Sequence, residues 1–366
     1  MDPITFRRYI HQYPELSFKE ESTARFIGES LAEAGIEYRS IATTGLLAKI
    51  EGRGDLSRAV VLRADIDALP IEEDTGVMFA SQNRGVMHAC GHDMHAAMLY
   101  GALRELNKSR DFEGTIFGVF QPGEECNPGG ASLVLAEEPF AGYEVLAVVG
   151  QHVDAMLEVG EVGFRSGKFM ASGDELRFDV CGIGGHAAMR NKLKDPVAAT
   201  AEFVTSLLAL NHDDRVLSIG RIEADGATNV IPSIVKMEGT LRTFDECERR
   251  ATKEEIRSIA RLCAERHDID IVVDINDGYP CVVCDEALVE MAADLASASY
   301  SVKWLERRAT AEDFGYYCTR YPSLFYRLGV GRAAGAAHTS TFCPSEGAIT
   351  VGIDLMRRCA LRFLKR

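Results

Sequence analysis

Short, largely apolar runs constrain this chain more than any other feature. Residues 59–64 (AVVLRA), 115–120 (TIFGVF) and 145–150 (VLAVVG) are each too short for an amphipathic helix and show no polar–apolar alternation. Runs of this kind suit strands buried on both faces, as in a parallel sheet. Helical patterns separate them. Residues about 19–35 form an amphipathic helix that stops at Gly35. A second helix follows Gly91 and carries Ala96, Ala97, Leu99, Tyr100, Leu103 and Leu106. The alternation predicts a mostly parallel sheet covered by helices on both faces.

The middle of the chain reads differently. Residues 175–180 (ELRFDV) and 234–241 (IVKMEGTL) alternate polar and apolar side chains. Such strands have one dry and one wet face and belong to an antiparallel sheet. Two long helices, about 195–210 and 246–266, are expected to cover the dry face. Residues 166–277 are thus read as a smaller α+β domain inserted into an α/β domain made of residues 1–165 and 278–366, whose sheet is expected to be mixed and covered by helices. A chain of 366 residues has room for two domains at roughly 150 residues each.

Composition narrows the function. Lys plus Arg number 40 and Asp plus Glu 55, a formal charge of −15. That balance disfavours nucleic acid and anionic membranes as partners. No apolar run approaches the ~18 residues of a membrane helix, and the start, Met1 to Arg8, has no apolar signal core. A cytoplasmic location is expected. Ten scattered cysteines fit reduced thiols. Cys281 and Cys284 form a lone CxxC with no second pair, so no chemistry is assigned to it.

The nine histidines are unevenly placed. His88, His92 and His95 crowd into eight residues together with Cys90 and Asp93. Cysteine, histidine and aspartate serve as metal ligands or as the groups that orient them. The run 115–120 leads into Gln121 to Glu125, and the run 145–150 into Gln151 and His152. Loops beyond the carboxyl ends of strands are where α/β sheets bind ligands. In the Glu124–Glu125 pair, one carboxylate can hold a metal while its neighbour stays free to move a proton. His338 is a further late histidine. Taken singly, each feature has an ordinary explanation: a polar helix start, a solvated acidic pair, structural histidines. Together they converge.

On these motifs the chain resembles the aminoacylase/carboxypeptidase clan of two-metal hydrolases. It is most similar to the branch of hippurate hydrolases, auxin-conjugate amidohydrolases and N-acetyl-diaminopimelate deacetylases. The similarity runs through Arg7 to His11 with Pro14 to Leu16, Arg63 to Pro70, His88 to His95 and Gln121 to Glu125. It continues through Gly184 to Ala187, Asn229 to Pro232, Gly239 to Arg242, Glu312 to Phe314 and His338. The resemblance implies that Cys90, His92, Glu125, His152 and His338 hold two divalent ions, with zinc, manganese, cobalt and nickel all compatible with the donors. It implies Glu124 as general base and His186 as oxyanion donor, reaching the partner subunit's site from the inserted domain. Asn229 and Arg242 would bind substrate, Asp67 would support the metal ligands, and the inserted domain would act as lid and homodimer contact. His95 is expected to be structural or to support a metal ligand, and Glu312 and Asp313 to line the rim or cap a helix.

The chain departs from the pattern after Gly185-His186, where Arg190-Asn191 replaces a common Pro-His pair, and at Cys281 and Cys284 after Tyr279-Pro280. The expected activity is hydrolysis of the amide of an N-acyl amino acid, a small-molecule substrate, to a carboxylic acid and a free amino acid. The alternatives are a metallo-dipeptidase or carboxypeptidase, a catalytically silent small-molecule binding protein, and a thiol enzyme that uses Cys90 as nucleophile.

Overall fold

The structure is a computed structural model that describes residues 1–366. The chain begins with helices α1 (Pro3–Gln12) and α2 (Glu21–Glu33), strands β1 (Glu37–Ile41), β2 (Gly45–Glu51) and β3 (Arg58–Asp65), and helix α3 (His92–Ser109). Next come β4 (Thr115–Gln121), α4 (Gly130–Ala136), β5 (Glu144–Asp154), β6 (Glu161–Phe164) and β7 (Gly167–Met170). The middle runs β8 (Asp174–Cys181), β9 (Gly185–His186), α5 (Pro196–Leu208), β10 (Arg215–Ala224), β11 (Val230–Ile231), β12 (Ile234–Thr243), α6 (Glu246–His267) and β13 (Asp270–Asn276). The chain ends with β14 (Val282–Cys284), α7 (Glu286–Ser297), β15 (Ser301–Trp304), α8 (Gly315–Cys318), β16 (Ser323–Gly329) and α9 (Gly347–Phe363). Two compact units result. The larger comprises Met1–Phe169, Val283–Arg307 and Asp313–Arg366; the smaller comprises Met170–Val282 and Arg308–Glu312.

The larger unit is built on an eight-stranded mixed sheet in the order β1-β2-β4-β3-β5-β16-β6-β15. Its centre, β4-β3-β5-β16, is parallel throughout. Every residue of β4 and β16 is buried, which explains their continuous apolar character. Parallelism stops towards the edges: β1, β2 and β4 pair antiparallel, as do β16 and β6. The sheet is therefore mixed, as expected for this domain, with the mostly parallel order confined to its centre. β1 shows four exposed residues followed by one buried, a pattern without the apolar run that marks the central strands. Helices α3 and α9 pack on each other and on β3 and β5. Parallel order sends β3, β4 and β5 the same way, so the segments following them gather at one end of the sheet.

The smaller unit is a four-stranded antiparallel sheet, β10-β12-β8-β13. In β8, Leu176, Phe178 and Val180 are buried while Glu175 and Arg177 are exposed, as period-two alternation requires. The dry face packs on α5 and α6 through Phe203, Leu207, Ile256 and Ala260; the Phe178 and Phe203 rings meet edge-on at 5.1 Å. Both helices start on aspartate caps. Asp195 accepts the Val197 and Ala198 N–H groups, and Asp245 those of Cys247 and Glu248.

Candidate metal centre and active site

Cys90 and His92 flank Gly91, which caps α3 in the left-handed region at φ +88°. A side chain there would be strained, and its Cβ would lie 2.6 Å from a Val153 methyl. Glycine thus lets the loop turn tightly and present Cys90 and His92 together. His338 also lies at positive φ, +64°, and its N–H donates to the Ala89 carbonyl at 2.8 Å. A strained non-glycine backbone fixed to the Cys90 loop marks a position that the surroundings over-determine.

The structure brings together the five residues expected to bind metal. Cys90 Sγ lies 3.4 Å from His152 Nε2 and 3.3 Å from His338 Nε2. His338 Nε2 is 3.2 Å, and His92 Nε2 4.0 Å, from Glu125 Oε1. The ligand atoms of Cys90, His92 and His152 lie within 4.8 Å of one another, as do those of Cys90, Glu125 and His338; Cys90 is common to both triads. Glu124, 7% exposed, places its carboxylate within the same distance of His92 and Glu125.

Hydrogen bonding orients these groups. His92 Nδ1 lies 2.9 Å from the Asp67 carbonyl and 3.0 Å from Asp67 Oδ1; both accept, so Nδ1 carries the proton and Nε2 turns towards the cluster. His152 Nδ1 donates to the Val153 carbonyl at 2.7 Å, which leaves its Nε2 facing Cys90. Asp67 Oδ2 accepts the Glu125 N–H and the Ser17 hydroxyl. His92 Nε2 is buried with no hydrogen-bond partner, and the buried Glu125 Oε1 has only the His338 ring beside it, at 3.2 Å. Unpaired buried polar atoms are costly unless something fills the space between them. A divalent ion fits that gap, and the mixed S, N and O donors suit a transition metal.

The electrostatics agree. Burial holds the His152 imidazole neutral, with its pKa well below the ordinary value, as a metal ligand requires. Burial pushes the Cys90 thiol up to about 12. A metal ion held by the sulfur would displace the thiol proton. Burial opposes a charge on His92, but Asp65 and Cys90 outweigh it and raise its pKa well above 6.5. A bound cation would take the place of that proton.

His95 follows His92 by one helical turn but is fully engaged elsewhere. Its Nδ1 donates to Asp65 Oδ1 at 2.6 Å and its Nε2 accepts the Val153 N–H at 2.9 Å. Asp65 Oδ2 in turn accepts from Arg63, which also donates to Asp313 Oδ1 and Gln121 Oε1. Asp313 accepts from Gln121 Nε2 and from the Ala131 N–H at the start of α4. This buried chain braces the strand ends that carry the cluster, and motif reasoning did not identify it. Its one trace in the sequence is Arg63, a charge inside the run 59–64. His88 is buried with neither ring nitrogen hydrogen-bonded, and burial lowers its pKa to about 4.

His186, Asn229 and Arg242 belong to the smaller unit. His186 is exposed on β9, paired with Val230, and its Nδ1 accepts the Ala188 N–H at 3.2 Å, which leaves Nε2 as the donor. Asn229 is exposed next to β11. Arg242, on β12, makes no ion pair. A Cβ on Gly173 would lie 2.3 Å from its guanidinium, so glycine makes room for that group. Arg190 and Asn191 lie in an exposed turn. Cys281 and Cys284 are buried, donate to the Thr243 and Phe325 carbonyls, and are each pushed up to about 12 by burial.

Residues 61–362 match the profile described as Peptidase family M20/M25/M40. The chain is 37% identical to an N-acetyl-L-cysteine deacetylase of Bacillus subtilis (strain 168), over 99% of this chain and 88% of that protein. It is 34% identical to an N-acetyldiaminopimelate deacetylase of Shouchella clausii, over 97% and 96% of the two chains. Its fold matches the crystal structure of a dinuclear metal-binding peptidase of family M20 from Bacillus subtilis with a TM-score of 0.88 and 34% identity, over 99% and 98% of the two chains. No helix is long and apolar enough to cross a membrane. The chain belongs to peptidase family M20/M25/M40 and is a metal-dependent amidohydrolase.

Proposed function

We propose that this protein hydrolyses the amide bond of N-acyl amino acids, with Cys90, His92, Glu125, His152 and His338 holding two divalent ions. The carrying observation is the buried His92 Nε2, which has no hydrogen-bond partner and lies 4.0 Å from Glu125 Oε1, in a cluster whose other ring nitrogens point the right way. The names of the relatives, deacetylases of N-acetylated amino acids, support the substrate class. Zinc, manganese, cobalt and nickel all suit the donors.

When bound, the ions would polarise the scissile carbonyl and lower the pKa of water. Glu124 takes the proton of the attacking water and delivers it to the leaving nitrogen. Asp67 keeps the His92 proton on Nδ1 and fixes the backbone at Glu125. His186, with Nε2 as its donor, stabilises the oxyanion. Arg242, which makes no ion pair, takes the substrate carboxylate, and Asn229 adds a neutral donor. Residues 166–277 serve as lid and homodimer contact. An edge strand with exposed Ile222 and an exposed His186 loop support that reading.

A metal-controlled panel tests it: N-acetyl, N-benzoyl and indole-acetyl amino acids beside dipeptides, with free amino acid as readout. Turnover of acyl amino acids supports the reading. Turnover of dipeptides alone would make the protein a dipeptidase or carboxypeptidase, and none despite bound metal would make it a binding protein.

A further inference from the structure

The smaller unit carries a second cluster of metal-binding side chains. Cys263 and His267 lie four residues apart on α6 and so share one face of the helix. Glu202 projects from α5, which packs against it. The ligand atoms of all three lie within 4.8 Å of one another. His267 Nε2 is 2.8 Å from Glu202 Oε2, and Cys263 Sγ meets only the Ala199 carbonyl, at 3.5 Å. Arg266 pairs with the other Glu202 oxygen, Oε1, so a cation entering between Oε2 and the His267 ring would take the place of the proton they share.

We infer that Glu202, Cys263 and His267 form a transition-metal site of the zinc class on the smaller unit, built from none of the residues of the Cys90 cluster. One sulfur, one imidazole nitrogen and one carboxylate oxygen supply three of the four donors of a tetrahedral ion. The side chains of Glu202 and His267 are 33% and 23% exposed, so solvent reaches the fourth position. Cys263 is anchored in the apolar core between the sheet and the helices, which fixes the sulfur on a rigid element. Burial raises the thiol pKa, and the thiol proton is lost when the metal binds. A metal here ties the last turn of α6 to α5. Arg266 opposes the cation, which places the affinity below that of an all-anionic site.

The test is zinc stoichiometry on full-length protein stripped of metal and reloaded by dialysis, with wild type beside Cys263→Ser and His267→Gln. The site predicts one zinc fewer per chain in both variants, with deacylation of N-acetyl amino acids unchanged. Cobalt gives a second readout, because a thiolate ligand adds a near-ultraviolet charge-transfer band. That band should persist in Cys90→Ser and vanish in Cys90→Ser/Cys263→Ser. Equal zinc content in wild type and both variants, or no thiolate band in Cys90→Ser, would overturn the inference. His267→Gln alters a partly exposed side chain, so it remains informative should Cys263→Ser disturb the core.

Discussion

Asp67 Oδ1 sits 3.0 Å from His92 Nδ1, while the other oxygen of the same carboxylate accepts the Glu125 backbone N–H at 2.9 Å. One buried aspartate therefore orients two groups of the cluster without itself facing the gap between them. Burial pushes the Asp67 pKa up, but the hydrogen bond from His92 and its positive charge outweigh this and hold the carboxylate ionised. Asp67→Ala should weaken metal affinity roughly 10–100-fold, as loss of such an orienting partner does. Competition with a chelator of known affinity measures it. Unchanged affinity would mean that His92 is held by packing alone.

The brace behind the cluster should matter for stability. Arg63 is 1% exposed, and its ion pairs with Asp65 and Asp313 are both 2.6 Å. Asp313→Ala leaves the buried guanidinium undercompensated and should cost about 3–5 kcal/mol. The check is the urea midpoint of the transition that reports the larger unit. A shift within the scatter of surface substitutions would contradict the account.

Much of this organisation was legible in the sequence. Central strands β3, β4 and β5 stood out because strands buried on both faces need continuous apolar runs. The smaller sheet stood out because one wet face forces alternation. Glu125 and His152 stood out by position after β4 and β5, and Cys90, His92 and His338 chiefly by family pattern. The Arg63–Asp313 contact was not, because it joins residues 250 apart and neither segment hints at the other. Nor was the engagement of His95. Its spacing from His92 places both on one helical face, and only the positions of Asp65 and the Val153 N–H decide which ring is free.

Acid and base should both weaken one contact of the larger unit. Burial raises the Glu73 pKa, but hydrogen bonds from His11, Thr75 and the Ser81 N–H outweigh it and bring it down to about 2. For His11, burial lowers the pKa, yet Asp93 and Glu73 leave it above 6.5. A depressed carboxylate contributes stability above its unfolded pKa and loses it as pH falls through the folded value. A raised histidine contributes fully below its unfolded pKa and loses it as pH rises through the folded value. The His11–Glu73 contact should therefore contribute most between about pH 4.5 and 6.5, fading towards pH 2 and above the raised His11 value. Urea midpoints of wild type and Glu73→Gln across pH should differ most inside that window and converge at pH 2. A constant difference would contradict this.

The homodimer reading makes a sharper demand. His186→Ala should lower kcat by roughly 10²–10³ with metal content intact, the usual effect of removing an oxyanion donor. If His186 serves the partner subunit, mixing His186→Ala with Glu124→Gln regenerates one intact site in each mixed dimer. Random pairing then restores about a quarter of wild-type activity. No recovery from a mixture shown to exchange subunits would place His186 in its own subunit's site or outside catalysis.

The most direct test of the central claim is amino-acid release from an N-acetyl amino acid by wild type and Glu124→Gln, each stripped of metal and then reloaded, with metal counted in every sample. The account predicts equal metal content in the two reloaded proteins, two ions of it at the Cys90 cluster, and turnover only in reloaded wild type, with the variant down roughly 10²–10⁴-fold. Turnover that survives chelation, or a reloaded Glu124→Gln protein as active as wild type, would contradict it.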